Sequence, residues 1–211
     1  NYRGLLSLRY GIAQSANVVA VKTLTQISPQ LGFDYLQNFG FTTLVDKRVE
    51  SDGTVRSDIG QPLALGGITD GVTNMELNAA YATIANQGTY IKPKLYTKIV
   101  DHDGNVLIDN TAPESKQVIK QTTAWLLTSA MVDVVTTGTG GSVNFGNMAI
   151  AGKTGTTSDY KDVWFSGFTP YYTATTWTGY DNNANMKTSA EKNLSKTMWK
   201  KVMSRIHENL E

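Results

Sequence analysis

Residues 149–168 read AIAGKTGTTSDYKDVWFSGF and contain Gly-Lys-Thr, the ending of a phosphate-binding loop. Such a loop needs an earlier glycine, and the required position is held by Asn147, with Gly146 one place away. The loop must also lead into a helix whose N-terminus faces the phosphates, whereas the residues after Lys153 have the composition of a turn and a strand. The sequence therefore argues against a nucleotide-binding site.

A second stretch, DHDGN at residues 101–105, begins like a calcium-binding loop. The sixth position of such a loop should be glycine and is Val106, and the twelfth should be glutamate and is Ala112. Asp-Gly between alternating apolar residues indicates a hairpin turn instead. His102, in this turn, and His207, late in the chain, are both expected to be solvated. We therefore predict neither a metal site nor a cofactor.

Two short motifs remain, Ser15-Ala16-Asn17 near the N-terminus and Lys153-Thr154-Gly155 in the second half of the chain. A Ser-x-Asn between helices and a Lys-Thr-Gly on an edge strand are two of the three motifs of penicillin-reactive enzymes. Either triplet alone is common by chance. Together, in this order and on the expected elements, they are a moderately specific signal.

The N-terminal motif lies in a region that is predicted to be helical. Apolar spacing indicates helical segments over the first forty residues, and Ser28-Pro29 begins the third of them as N-cap and first helical residue. Residues 41–70 predict loops with short strands. A capping box formed by Thr73 and Glu76 then begins another helix.

The Lys-Thr-Gly motif lies in a region of predicted strands. Residues 94–109 predict a hairpin and residues 121–136 a helix, after which MAIAGKT, VWFSGF and YTATTWTGY predict three strands. A last helix follows a capping box at Thr188 and Glu191. It is expected to bury one apolar stripe, consisting of Leu194, Met198, Val202, Ile206 and Leu210. This order of elements indicates an α+β fold with an antiparallel sheet packed against helices.

Composition excludes several classes of function. The chain has 211 residues, of which 40% are hydrophobic, so it can build a substantial core. Its 19 basic and 18 acidic residues nearly cancel, which argues against a nucleic-acid partner. No apolar run is long enough to predict a membrane span, and no signal peptide is recognisable. Without cysteine there is no thiol chemistry, and the compartment stays open.

Longer segments extend the resemblance beyond the two triplets. SLRYGIAQSANVVAVKTL, ALGGITDGVTNMELNAAYATIANQGTYIKP, MVDVVTTGTGG and WFSGFTPYYTATTWTGYDN all resemble segments of the transpeptidase domain of class A penicillin-binding proteins. These bifunctional enzymes build peptidoglycan. The resemblance covers nearly all of the chain and implies the penicillin-binding/β-lactamase-like transpeptidase fold. It implies that residues 1–211 are the C-terminal portion of that domain, without its N-terminal part.

The resemblance implies an acyl-enzyme mechanism on peptidoglycan stem peptides that end in D-Ala-D-Ala, with β-lactams as mimics. By this resemblance Ser15 relays a proton to the departing D-alanine amine, and Asn17 holds a side-chain amide of the substrate. Lys153 binds the terminal carboxylate. We expect Lys153 and Ser15 to face one cleft.

Three neighbours of Lys153 are implied to bind the substrate. Thr154 and Thr156 supply hydroxyls to the carboxylate, and the backbone N–H of Thr156 contributes to the oxyanion hole. Gly155 lets the substrate backbone come close. Residues 156–160 are expected to border the cleft, with Trp164 and Phe165 packed behind it as core residues.

The third family motif, Ser-x-x-Lys, supplies the nucleophile and its base and should precede Ser15. Before Ser15, Ser7 does not fit, since Tyr10 stands three residues later. Matches at residues 158–161 and 189–192 follow Lys-Thr-Gly, which is the wrong order, and are taken as coincidence. We expect the nucleophile in an upstream part of the same protein, which makes that part a partner of this chain.

Other functions remain possible from the sequence. A class A β-lactamase needs Glu-x-x-x-Asn between the two motifs, but Thr54, Ala80 and Val118 follow the glutamates at the required distance. A D,D-carboxypeptidase relative and an inactive module that binds peptidoglycan peptides are further alternatives. The resemblance implies a location on the extracytoplasmic face of the bacterial cell membrane, with the anchor outside this chain.

Overall fold

The computed structural model describes residues 4–210. Its helices are α1 (Leu8–Ala13), α2 (Asn17–Ile27), α3 (Pro29–Asn38), α4 (Asn74–Ala85), α5 (Gln121–Thr136), α6 (Ser189–Lys192) and α7 (Leu194–Ile206). Its strands are β1 (Arg48–Val49), β2 (Val55–Arg56), β3 (Thr89–Ile91), β4 (Lys98–Val100), β5 (Val106–Asp109), β6 (Ser115–Gln117), β7 (Ala151–Thr156), β8 (Asp162–Phe168) and β9 (Thr173–Gly179). The predicted mixture of helices and antiparallel strands is confirmed.

The helix ends follow local capping chemistry. Ser28 accepts a hydrogen bond from the N–H of Leu31, and Pro29 is the first residue of α3, as predicted. Both predicted capping boxes form. The Thr73 side chain accepts from the Glu76 N–H while the Glu76 carboxylate accepts from the Thr73 N–H, and the second box, before α6, repeats this pattern. These reciprocal bonds satisfy N–H groups that have no partner within the helix.

The main sheet is antiparallel and has the order β7-β8-β9. Lys153 lies opposite Ser166 in β8, and Gly155 lies opposite Trp164. Within residues 4–210, β7 pairs only with β8, so its other edge is open to a ligand. Gly152-Lys153-Thr154 lies inside this strand, and the chain continues into β8. This is a different setting from the strand–loop–helix of a phosphate-binding loop.

The core lies between this sheet and its helices. One cluster joins α5, the sheet and α7 through side chains that are almost fully buried: Val135, Val143, Ile150, Phe165, Trp199 and Met203. The Phe165 and Trp199 rings meet edge to face, with centroids 5.0 Å apart. The Trp199 indole N–H also donates to the carbonyl of Ala174 in β9, at 2.9 Å. These contacts fix the position of α7 on the sheet.

The predicted buried stripe of α7 is wrong by one residue. Leu194, Met198, Val202 and Ile206 are between 42% and 53% exposed, and Leu210 is half-buried. The buried side chains are instead Ser195, Trp199 and Met203. The buried stripe contains Ser195 and only two apolar residues, but the large Trp199 side chain occupies the core because its N–H finds a partner on β9.

His207 is 5% exposed, so the prediction that it is solvated is wrong. Its Nδ1 lies 2.6 Å from the Met203 carbonyl oxygen, which can only accept, so Nδ1 carries a proton. Its Nε2 lies 2.8 Å from the hydroxyl of Thr169. Both ring nitrogens have partners, which makes burial possible. His102 is solvated as predicted, with a side chain that is 90% exposed.

Candidate active site

The Ser-x-Asn motif forms the turn between α1 and α2. Ser15 has φ 53°, which is uncommon for a residue with a side chain and is often found at functional sites. Its N–H donates to the carbonyl of Ile12, and the next N–H, of Ala16, donates to the carbonyl of Gly11. These bonds hold the turn so that Ser15 and Asn17 both line the cleft described below.

Lys153 brings the two motifs into contact. Its ammonium donates to the Ser15 hydroxyl oxygen at 2.7 Å, across a sequence separation of 138 residues, and to the Thr154 carbonyl at 2.9 Å. Since Ser15 Oγ accepts this bond, the hydroxyl hydrogen of Ser15 is available to donate to a ligand. Burial lowers the pKa of Lys153 to about 8, because a desolvated ammonium is less stable than a neutral amine.

A residue that sequence reasoning missed supports the same strand. The hydroxyls of Thr139 and Thr154 lie 2.8 Å apart and share a hydrogen bond. The Thr139 N–H also donates to the Ala13 carbonyl, at the end of α1. Thr139 thus ties the Lys-Thr-Gly strand to the helix that precedes Ser15. Its position in the glycine-rich segment after α5 was the only available signal in the sequence.

Further contacts attach α1 to α5. Arg9 donates to the Asp133 carboxylate at 2.9 Å and to the Ser129 hydroxyl at 2.7 Å. Close backbone approach is needed nearby, because a Cβ on Gly138 would lie 2.1 Å from the Ala13 carbonyl oxygen. The glycine therefore lets the end of α5 contact the end of α1, and this contact sets the distance between the two motifs.

The two motifs line a cleft of about 1200 Å³. One wall contains the Ser15 turn and α2, and the other contains β7 from Lys153 to Thr156. A glycine-containing loop, residues 64–67, borders the same cleft. The residues predicted to act in the site, Ser15, Asn17, Lys153, Thr154, Gly155 and Thr156, are all among those that line it. A drug-sized ligand requires a pocket of this order of volume.

The loop after β7 also lies at the cleft. Thr156, Thr157, Ser158 and Asp159 border the 1200 Å³ cleft, and Tyr160 borders a smaller adjoining cavity. Phe165 is fully buried, as predicted. Trp164, which was expected in the core, is only half-buried and lines two of the cavities, with its ring 6.2 Å from that of Trp177. Side-chain alternation along β8 places the two aromatics on opposite faces.

A buried carboxylate holds the loop beside the cleft. Asp58 is 3% exposed and accepts from the N–H groups of Val45 and Thr69, each at 2.8 Å, and from the Thr69 hydroxyl at 2.6 Å. Although burial alone raises the pKa of Asp58, these hydrogen bonds outweigh it and lower the pKa. Sequence reasoning did not identify Asp58, since residues 41–70 showed no sustained pattern.

Comparison with known proteins identifies the family. The family model described as penicillin binding protein transpeptidase domain matches residues 1–204. The chain belongs to this family. It is 36% identical to penicillin-binding protein 1A of Clostridium botulinum strain Langeland over 210 aligned residues. The aligned region is 99% of this chain and 24% of that relative. Penicillin-binding protein 4 of Bacillus subtilis is 34% identical over 184 residues, covering 87% of the chain and 28% of that relative. The chain thus spans about a quarter of the length of these relatives.

Solved structures support the same fold. The PonA1 protein from Mycobacterium tuberculosis in complex with penicillin V matches with a TM-score of 0.84 and 24% identity, over 100% of the chain and 59% of that protein. Penicillin-binding protein 1A from Haemophilus influenzae matches with a TM-score of 0.78 and 22% identity, over 100% of the chain and 36% of that protein. The predicted transpeptidase fold is therefore confirmed. Within residues 4–210 no helix is long and apolar enough to cross a membrane.

Proposed function

We propose that this chain supplies the Ser-x-Asn and Lys-Thr-Gly motifs of a D-Ala-D-Ala transpeptidase that cross-links peptidoglycan through an acyl-enzyme. The observation that carries this proposal is the 2.7 Å hydrogen bond from Lys153 to Ser15, which joins the two motifs in one cleft. The family membership of the chain supports it. In this proposal residues 1–211 are the C-terminal part of the transpeptidase domain, which lies on the extracytoplasmic face of the cell membrane.

The substrate binds along the open edge of β7. Its terminal carboxylate contacts the Lys153 ammonium and the hydroxyls of Thr154 and Thr156. The backbone N–H of Thr156 donates to the oxyanion of the tetrahedral intermediate, and the loss of one such donor typically lowers the rate by about 10²–10³. Gly155 carries no side chain that would hold the substrate backbone away from the strand.

Ser15 and Asn17 act on the other side of the peptide. After attack on the penultimate D-alanine carbonyl, the bond to the terminal D-alanine breaks and the departing amine needs a proton. Ser15 relays this proton, since its oxygen already accepts from Lys153 and its hydrogen can point into the cleft. As the Ser15 hydroxyl proton passes to the amine, the proton that the attacking serine gave to its lysine base replaces it on the Ser15 oxygen. Asn17 holds a side-chain amide of the peptide. An amine of a second stem peptide then attacks the acyl-enzyme and completes the cross-link.

The attacking serine and its lysine base belong, in this proposal, to an upstream Ser-x-x-Lys segment of the same protein. An attacking oxygen must reach within about 3–3.5 Å of the carbonyl carbon. Ser15 is assigned to the leaving group, while Ser158 and Ser189 stand after the Lys-Thr-Gly motif. We therefore expect that the 211-residue chain alone is not acylated by penicillin.

The test is covalent labelling with a fluorescent penicillin, followed by denaturation. The protein that includes the upstream segment should be labelled, and Ser15→Ala should slow its labelling by about 10²-fold or more, the usual contribution of a general acid. Lys201→Met, on the exposed surface of α7, is the control and should label normally. Label on the isolated chain that is lost in Ser158→Ala or Ser189→Ala would contradict the upstream nucleophile. No label on the longer protein would favour a binding module.

A further inference from the structure

A second cavity adjoins the candidate active site. It has a volume of about 610 Å³, within the usual range for ligand pockets. Its lining includes Thr154, Gly155 and Thr156 of β7, together with Lys192, Asn193 and Lys196 at the junction of α6 and α7. We call it the lysine cavity. Ser15 and Asn17 also reach it, so the lysine cavity and the cleft are continuous at the edge of β7.

The charge of the lysine cavity is one-sided. Two lysines line it, and none of its described lining residues is an aspartate or a glutamate. The nearest acid in sequence, Glu191, is engaged elsewhere, since it accepts from the Tyr180 hydroxyl and from the N–H groups of Lys187 and Thr188. In a chain whose charges nearly balance, a cavity with two ammonium groups and no acid favours an anionic ligand.

Lys196 has no partner of its own among residues 4–210. It makes no hydrogen bond or ion pair with another described residue, and burial lowers the pKa of its ammonium. Lys192 differs, because its ammonium lies 4.3 Å from the centre of the Tyr160 ring in a cation–π contact. An incompletely solvated, unpaired ammonium is unfavourable in the free protein, and a ligand carboxylate would relieve that state.

The orientation of β7 connects Lys196 to the substrate. Side chains alternate along a strand, so Thr154 and Thr156 leave β7 on the face opposite Lys153, but the Lys153 ammonium contacts Ser15, which lines both the cleft and the lysine cavity. Both threonines line the lysine cavity as well as the cleft, whereas Lys153 lines only the cleft of these two. A carboxylate that accepts hydrogen bonds from the two threonine hydroxyls therefore lies in the cavity that Lys196 also lines.

We propose that Lys196 is a specificity-determining residue that contacts the carboxylate of the ligand bound along β7, whether peptide or β-lactam. Lys192, held over Tyr160, adds positive charge to the same cavity. This inference rests on the proposed function, because it takes the ligand of the cleft to be a carboxylate-bearing acyl donor. It adds a cation from the C-terminal helix to the one in the Lys-Thr-Gly motif.

The experiment measures acylation of the protein that includes the upstream segment by benzylpenicillin and by its uncharged methyl ester. Lys196→Met should lower the second-order rate constant for the free acid by about tenfold, the expected effect of losing one charge-assisted hydrogen bond. The rate for the ester should change by less than about twofold. Lys196→Arg should restore most of the preference for the acid, because it keeps the charge. Lys201→Met on the exposed face of α7 is the matched control and should leave both rates unchanged.

Two results would overturn the assignment. Equal losses for acid and ester would show that Lys196 only supports the structure, and unchanged rates would show that it does not contact the ligand. The proposed function is judged separately by the unsubstituted protein. If that protein is not acylated by benzylpenicillin, the proposed function fails; if it is acylated and Lys196→Met keeps the full preference for the acid, only the role of Lys196 fails.

Discussion

The charge of Lys153 should make acylation depend on pH just above neutrality. Burial lowers the pKa of Lys153 from 10.5 to about 8, so its ammonium loses a proton in an accessible range. The proposed role of Lys153 is to bind a carboxylate, and only the protonated form can do so. The second-order rate constant of acylation reports on the free protein, and it should therefore decrease through this pKa.

The size of the decrease follows from the titration. With a pKa of about 8, roughly nine-tenths of Lys153 is protonated at pH 7 and roughly one-tenth at pH 9. The rate constant for benzylpenicillin should then fall about tenfold between these pH values. Lys153→Arg keeps its charge throughout, so this variant should show no decrease in that range, whatever its absolute rate.

The assay is stopped-flow or gel-based acylation of the protein that includes the upstream segment, at constant ionic strength from pH 6 to 10. The methyl ester of benzylpenicillin serves as the control ligand, because it has no carboxylate to lose its partner. A rate that rises through pH 8 would refute the reasoning, since it would mean that neutral Lys153 acts as a base. A flat profile for the unsubstituted protein would also refute it.

The same titration predicts a change in stability. Between pH 8 and 10.5 the unfolded state binds a proton at Lys153 that the folded state lacks, so the free energy of unfolding rises with pH across this window. Below it, the charged lysine destabilises the fold by at most roughly 3 kcal/mol. Lys153→Met should remove this dependence, as measured by urea unfolding at pH 7 and pH 10. If the free energies of unfolding of the unsubstituted protein and of Lys153→Met differ by the same amount at pH 7 and pH 10, the pKa of Lys153 is not lowered.

Three further substitutions test the packing around the site. Trp199→Ala removes a fully buried ring and its bond to β9, and should destabilise the protein by about 3–5 kcal/mol in urea unfolding; a loss below about 1 kcal/mol would contradict the position of α7. Thr188→Ala removes the cap of α6 and should lower the free energy of unfolding by about 1 kcal/mol, whereas no change would mean that the capping box does not form.

Gly138→Ala should slow penicillin acylation at least about tenfold by separating α5 from α1. Its control, Gly141→Ala, has its nearest neighbour at 3.7 Å and should be neutral, so equal effects of both would refute the argument.

Local features of the structure could be predicted from the sequence because they depend on neighbours in the chain. The helix at residues 121–136 has the predicted bounds, since its apolar spacing is helical and a glycine-rich segment ends it. Both capping boxes depend on residues three apart, and the Asp103-Gly104 turn joins β4 and β5 as expected. The strand predicted at residues 148–154 is present but lies at Ala151–Thr156, so it begins three residues later and includes the whole Lys-Thr-Gly motif.

Features that depend on distant residues required the tertiary structure. The rotation of α7 is one, because the predicted stripe is the more apolar of two that lie one residue apart, and only the contacts of Trp199 with Phe165 and β9 show that the other is buried. The burial of His207 is another, since its partner Thr169 lies 38 residues away. Likewise, no local pattern shows that Lys196 and Thr156 line the same cavity. The sequence alone determined which groups are available for chemistry, and packing decided which of them share a site. The reason is that hydrogen bonds and charge–charge interactions act over a few ångströms in space, whatever the separation of the residues along the chain.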